Sequence, residues 1–188
     1  MLVAIVVNTK AAAPDQPTVA GNSLVWTEIF DTNYSAGVGR LTIWQANSGS
    51  GVTPGAFTAT TAGVSQTGWC VGVVEIMGGV FTGTQGTNGI RQRVNANTST
   101  TEAMTVTFGT LGKGTACILL ATFDENATCT PEAGWTELLD VNFNTPACGI
   151  AAAYRLKNTD TSGTITSDGT VTAGAMVGLE FGQLGNFP

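Results

Sequence analysis

The chain carries the heptapeptide WTEIFDT at residues 26–32 and a near copy, WTELLDV, at residues 135–141. The two Trp residues lie 109 positions apart, and so do the Glu and the Asp residues of the motif. The match extends in both directions, with small gaps confined to stretches rich in Gly, Pro and Asn. Self-similarity on this scale indicates an internal duplication, so the fold must be one that two copies of a single unit can build.

The segments that flank the motif align strand by strand. LVAIVVNT corresponds to ILLATFDEN, and GRLTIWQAN corresponds to GIAAAYRLKN, which sets Trp44 against Tyr154 after a shift of one residue. GAFTATT corresponds to GTITSDG, and GWCVGVVEIMG corresponds to GAMVGLEFG, which sets Glu75 against Glu180, 105 positions away. The pseudo-repeats therefore span residues 1–80 and 103–188.

Short runs of Val, Ile, Thr and aromatic residues recur between Gly, Asn, Pro and Ser, and no long run has a helical period. This pattern is typical of an all-β sandwich or barrel. We predict a jelly-roll-like antiparallel β-sandwich, a single domain over residues 1–188, in which each duplicated unit supplies about five strands. The expected strands lie near residues 2–8, 24–32, 39–47, 56–61, 69–77, 90–95, 103–108, 115–123, 135–142, 149–157, 163–166 and 174–182.

One predicted strand of the second half has no match in the first. The strand is AMTVTF, at residues 103–108, and its counterpart would lie before Met1. An unpaired strand edge readily accepts another strand. We therefore expect this edge of the first unit to be empty or to be filled by a neighbouring chain.

The composition argues against several classes of function. Only seven Lys and Arg residues are present, they are scattered, and the net charge is −6, so no basic stripe is available for nucleic acid. The first apolar run is shorter than that of a signal peptide, and no run is long enough for a membrane span. The chain has no His and no CxxC motif, which argues against hydrolytic triads and zinc sites. We expect no enzymatic activity, cofactor or metal.

Two duplicated pairs of carboxylates, Glu28 with Glu137 and Glu75 with Glu180, resemble the acid pairs that cleave glycosides. A duplicated residue is, however, first a duplicated structural element. Glu75 and Glu180 share strands with apolar residues, where an unpaired charge is costly. We therefore expect each of them to accept hydrogen bonds or to meet an Arg, either Arg40 or Arg155.

Trp26 and Trp135 are expected to place their rings against the core and to donate their ring N–H to a loop carbonyl. Cys70 and Cys117 lie in apolar runs and should be buried. Cys129 and Cys148 lie in polar, Pro-containing stretches, where a disulfide between loop ends at one sheet edge could form.

Taken together, LVAIVV, LVWTEI, GRLTIWQA, VGVVEIMG, TPEAGWTEL and GAMVGLEFG resemble a β-sandwich family of tailed-bacteriophage virion proteins and bacterial surface proteins. The resemblance implies a non-enzymatic structural subunit. Where such sandwiches resemble capsid decoration (cement) proteins, it implies an oligomer, with a trimer favoured, that binds the major capsid protein or another virion protein. The expected location is the virion, assembled in the host cytoplasm, with an extracellular or cell-surface location as the alternative.

Two other functions stay open at this point. The chain could be a carbohydrate-binding or receptor-binding module of a phage tail or cell surface, with Trp44 or Trp69 as a stacking face. A more remote option is a glycosidase built on Glu28 and Glu137.

Overall fold

The computed structural model describes residues 1–49, 55–63, 65–79, 81–98, 101–156 and 160–182. Most of these residues are in strands, and two 3₁₀ turns lie at Ser35–Gly37 and Thr84–Gly89. No helix in the described ranges is both long and apolar enough to cross a membrane. The strands are β1 (Leu2–Thr9), β2 (Thr18–Gly21), β3 (Thr27–Tyr34), β4 (Gly39–Ala46), β5 (Phe57–Thr60), β6 (Gly68–Glu75), β7 (Ile90–Thr98), β8 (Ala103–Thr107), β9 (Ala116–Phe123), β10 (Cys129–Pro131), β11 (Thr136–Asn144), β12 (Ala147–Leu156), β13 (Ser162–Ser167) and β14 (Gly174–Phe181).

The strands form two large antiparallel sheets and two small ones. The large sheets have the orders β3-β4-β1-β6 and β11-β12-β9-β14-β7, and the small sheets have the orders β2-β5 and β10-β13-β8. The predicted all-β antiparallel sandwich is confirmed. Each unit supplies one whole large sheet, so the described chain passes between the large sheets once, from β6 to β7, whereas a jelly roll is wound from two Greek keys.

The topology confirms the duplication. The order β3-β4-β1-β6 is repeated as β11-β12-β9-β14, and the pair β2-β5 is repeated as β10-β13. A β-bulge also recurs at the same point of the motif, between Glu28 and Phe30 in β3 and between Glu137 and Leu139 in β11. Because bulges sit at defined positions of a fold, two matching bulges are difficult to explain without a common ancestor for the two units.

A central core between the two large sheets draws on both units. Ile5 and Leu41 from the first unit and Ile150 and Val177 from the second are all fully buried there. Each large sheet also carries an outer core beneath its small sheet. The outer core of the first unit surrounds Trp26, and the outer core of the second surrounds Trp135.

The two motif tryptophans therefore occupy equivalent positions. Trp26 donates its ring N–H to the carbonyl of Gly21 at 3.3 Å, as predicted. Trp135 donates instead to the carboxylate of Glu132 at 3.2 Å. In both units the Trp holds the connection that precedes the motif strand against the outer face of the large sheet.

The predicted alignment of Trp44 with Tyr154 is wrong by one residue. Glu28 pairs with Trp44, and its counterpart Glu137 pairs with Ala153, so Trp44 corresponds to Ala153. Because side chains alternate between the faces of a strand, Trp44 packs in an outer core and Tyr154 packs against the central core.

All twelve predicted strands are present, with ends that differ by up to three residues from those predicted, and residue 157 of one predicted range lies outside the described residues. The prediction missed β2 and β10, which have four and three residues and lie in connections that contain Pro. Residues 50–54, 64, 80, 157–159 and 183–188, which fall within the predicted repeats, lie outside the described residues.

Candidate protein-binding site

Strands β7 and β8 complete the second unit. β7 pairs with β14 at the edge of the large sheet, and β8 pairs with β13 at the edge of the small sheet. In the first unit, the counterparts of β14 and β13 are β6 and β5, and each has a single neighbour among the described strands, β1 and β2 respectively. The first unit thus has an open strand edge at each place where the second unit has a partner strand.

Because the edge of β6 is open, side chains on its outer face are exposed to solvent. The register sets Val71 and Val73 opposite Val6 and Ala4 of β1, so both valines face outward. They are 39% and 40% exposed. In β14 the corresponding positions are covered by β8, because Met176 is fully buried and a Cβ added to Gly178 would lie 2.6 Å from the ring of Phe108.

The inner faces of β3 and β11 differ in the same way, since that of β3 is covered and that of β11 is partly exposed. In the first unit, the inner face of β3 is covered by β7, since Arg93 lies 5.8 Å over the Phe30 ring and also donates to the carbonyl of Ile29. In β11, Val141 and Phe143 stand opposite Ile150 and Cys148 of the central core and so face inward. Each of them is nevertheless 46% exposed.

We call the space beside the open edge of β6 the β6 slot. The register directs Val141 and Phe143 of β11 toward the inner side of this space and Val71 and Val73 of β6 toward its outer side, and we call the first pair its floor and the second pair its outer lip. The backbone of β6 lies close to β11, because a Cβ added to Gly72 would come within 2.9 Å of Leu139. The slot is therefore a place for one more strand in the first large sheet, above the exposed part of β11.

An apolar pocket of about 400 Å³ adjoins the β6 slot at the end of β6 that carries Glu75. Its lining includes Val74 of β6 and Leu138 of β11. Three large apolar side chains around it are exposed to solvent, namely Met77, Leu138 and Leu156. We refer to the slot and the pocket together as the apolar side of the sandwich.

The repeated glutamates differ for the same reason. Glu180 is fully buried and accepts hydrogen bonds from the Gln92 side chain at 2.6 Å and the Gly112 backbone at 2.7 Å, with Arg91 4.0 Å away. These partners belong to β7 and to the connection between β8 and β9. Glu75, which has no such elements beside it in the described structure, is exposed to solvent.

Glu180 accepts hydrogen bonds, which was one of the two expected arrangements, but the other, a contact with Arg40 or Arg155, is not what the structure shows. Arg40 makes a two-point contact with Asp31 of the neighbouring strand, at 2.7 and 2.5 Å. Arg155 lies 3.4 Å from Asp160. Each Arg is held by a carboxylate close to it in sequence, so neither reaches the strand end where the glutamate lies.

We expect Glu180→Gln to lower the free energy of unfolding by about 1–3 kcal/mol, since it weakens hydrogen bonds to a buried charged group. Glu75→Gln is the matched control and should change stability by less than about 0.5 kcal/mol because the residue is exposed. Urea unfolding of the three proteins measures both values. Equal effects of the two substitutions would contradict the burial difference.

The second carboxylate pair does not form a site. Glu28 accepts a hydrogen bond from Gln16 at 2.7 Å, and Glu137 is exposed. The two residues lie on β3 and β11, which are edge strands of different large sheets; β3 packs against β14, and β11 packs against β6. The two carboxylates therefore do not flank a common space, as the cleavage of a glycosidic bond requires.

Trp44 and Trp69 lie on the outer face of the first large sheet, and both are partly buried. The register pairs Trp44 with Ala4 and Trp69 with Asn8, on strands that flank β1. Four residues along a strand correspond to roughly 13 Å, so the two rings do not make a shared stacking surface. Trp44 also packs into the outer core around Trp26.

The proposed Cys129–Cys148 disulfide is wrong. Cys129 lies in the outer core of the second unit, whereas Cys148 lies in the central core, on the other side of the large sheet. All four cysteines are buried and none of them is in a disulfide, and burial was expected for Cys70 and Cys117. The Sγ atom of Cys148 lies 3.3 Å from the Sγ atom of Cys70, which brings together one thiol from each unit.

The environment of these thiols shifts their acidity. Burial raises the pKa of Cys129 to about 12. The hydrogen bond with Cys148 lowers the pKa of Cys70, whereas the same contact, together with burial, raises the pKa of Cys148. Cys70 is therefore the more acidic thiol of the central pair.

A depression of about 620 Å³ lies at the end of the sandwich away from the apolar pocket. Asp124 lines it, but its carboxylate already accepts hydrogen bonds from the backbone of Thr172 and Ala173 and from the Ser35 hydroxyl. Burial raises the pKa of Tyr34, which also lines the depression. Within the described ranges, no three His, Cys, Asp or Glu side chains are grouped to hold a metal.

A scan against protein-family models finds no match to this sequence, and searches of curated proteins and of solved structures find no significant match.

Proposed function

We propose that the chain is a non-enzymatic structural protein of a virus particle, a decoration protein that binds the major capsid protein on the outside of the shell. The observation that carries the proposal is the apolar side formed by the β6 slot and the adjoining pocket. Folded proteins rarely expose a continuous apolar surface unless it binds another protein or a membrane. Here the surface is a regular array of half-exposed side chains on two strands.

The chemistry of this side favours a protein partner. Val71, Val73, Val141 and Phe143 provide apolar contact area, and no Lys or Arg lies among the residues that form the slot. The core of a protein–protein interface is similarly depleted in charge and rich in aromatic and apolar groups. When many copies bind one shell, modest contacts at each site act together on the stability of the particle.

Co-sedimentation with shells assembled from the major capsid protein of the same virus tests this proposal. We expect the wild-type chain to sediment with the shells and Phe143→Ser to bind at least about tenfold more weakly, because loss of a half-buried aromatic contact is worth more than 1.4 kcal/mol. Val25→Ser is the control, since Val25 is 65% exposed but lies outside the slot and the pocket.

Failure of the wild-type chain to bind the shells would contradict the proposal. Binding to an array of glycans that is lost in Trp69→Ala would instead favour the carbohydrate-binding alternative. The molar mass of the free chain in solution, from light scattering, tests the expected trimer.

A further inference from the structure

We propose that the β6 slot accepts an extended segment donated by a different protein, which adds to β6 as an antiparallel fifth strand of the first large sheet. The inference deepens the proposed function. It rests on one part of that function, namely that the chain attaches to other proteins. It identifies the place of attachment and the kind of segment that fits there.

The second unit supplies the template for this binding mode. There the same edge of the duplicated unit is occupied by β7, which runs antiparallel to β14 along its whole length, from Gly174 to Phe181. The edge of β6 is eight residues long and, apart from Glu75 at its end, carries no charge. Edge strands are normally protected from pairing by Lys, Pro or a bulge, and β6 has none of these.

The lining predicts the side chains of the donated segment. β7 places the polar side chains of Arg93 and Asn97 over β3, where Asn97 meets Thr32. By the 109-residue spacing, Phe30 and Thr32 of β3 correspond to Leu139 and Val141 of β11, so a residue placed like Asn97 would meet Val141 instead of a Thr hydroxyl. A segment that fits the slot should therefore be apolar on the face toward β11, where β7 is polar.

We take a different protein as the donor because the described part of the chain has too few suitable strands of its own. Each chain has one described β7–β8 pair, and each of its two units has an edge that this pair could occupy. If one copy donated the pair to the first unit of another copy, its own second unit would lose the pair, so one edge would open for every edge filled. Pairing of two β6 strands from two copies is also disfavoured. In each copy β11 lies beneath the place next to β6, so the two β11 strands would compete for the same space.

Synthetic peptides of residues 90–108 serve as probes, because this segment is known to fit the matching edge of the second unit. One peptide has the native sequence, and the other carries Arg93→Val and Asn97→Val to suit the apolar floor. We expect the substituted peptide to bind the full chain at least about tenfold more tightly than the native peptide, since two apolar contacts replace two polar ones. Hydrogen exchange should show new protection at Gly68–Glu75.

Val71→Lys tests the site on the chain itself, because a Lys on an edge strand opposes pairing. We expect this variant to bind the substituted peptide at least about tenfold more weakly, while Val25→Lys, at an exposed position elsewhere, binds it normally. Unchanged exchange protection at β9 in both variants verifies that they are folded.

Three results would overturn the inference. The first is no peptide binding, and the second is protection at a strand other than β6. The third is a concentration-dependent dimer of the chain in which β6 is protected without peptide, because the occupant would then be a second copy of the chain. These results are independent of the capsid experiment. Peptide binding at β6 without binding to shells would contradict the decoration proposal but not the strand-acceptor inference. Shell binding that is unchanged by Val71→Lys would contradict the strand-acceptor inference but not the decoration proposal.

Discussion

Trp135→Ala should lower the free energy of unfolding by about 3–5 kcal/mol, the usual cost of removing a large buried aromatic side chain. The Trp135 ring is only 7% exposed. It packs so closely on β13 that a Cβ added to Gly163 would lie 2.5 Å from it, and the guanidinium of Arg155 stacks 4.5 Å above it. The substitution therefore removes both buried area and a cation–π contact from one outer core.

The matched comparison is Trp26→Ala in the first unit. Trp26 is buried to a similar degree and contacts Phe57 edge to face at 5.0 Å, but its outer core is smaller and lacks a third strand in its small sheet. We expect this substitution to cost less than Trp135→Ala. Denaturant unfolding of both variants measures the difference, and an equal or larger cost for Trp26→Ala would contradict the unequal outer cores.

Oxidation of the free chain with diamide should join Cys70 to Cys148 and raise its stability. Both thiols lose their protons, one S–S bond forms, and the two electrons reduce diamide to its hydrazine. The bond would link residues 78 positions apart across the central core. The loop-entropy model for a loop of this size gives an upper value of about 4.5 kcal/mol. Cys70 should react first, because its hydrogen bond lowers its pKa and the thiolate is the reactive form.

Thermal unfolding with and without reductant, together with mass mapping of the cross-linked peptides, tests the oxidation. Cys70→Ser should abolish the gain in stability, and Cys117→Ser should leave it intact. A cross-link between Cys129 and Cys148, or a loss of stability on oxidation, would show that the central pair is not arranged as described.

The sequence predicted the architecture well because a duplicated unit doubles the signal. Apart from β7 and β8, each strand of more than four residues was visible twice, once in each half, and the 109-residue spacing of the motif holds through the paired strands β3 and β11. The facing of side chains near the motif was not predicted, because it depends on a one-residue offset. The bulge after Glu28 breaks the strict alternation of the motif, so that both Ile29 and Phe30 pack toward the central core.

The candidate site was only half visible in the sequence. The unmatched strand AMTVTF predicted an open edge in the first unit, and the structure shows that β7 has no counterpart there either, within the described residues. The exposure of Val141 and Phe143 was not predictable, because it depends on how the two large sheets overlap. The cysteine pairing failed for the same reason, since strand patterns do not reveal which face of a sheet meets which partner.

The recurrence of one bulge in both halves has a consequence for the history of the molecule. A single unit would have had the same inward apolar face to cover, and a second identical subunit related by a two-fold axis would cover it as the halves do now. Fusion into one polypeptide removes the requirement that both partners remain alike. The two halves could then diverge, and in the described structure one has a flank closed by β7 and β8 whereas the other has an open flank at β6.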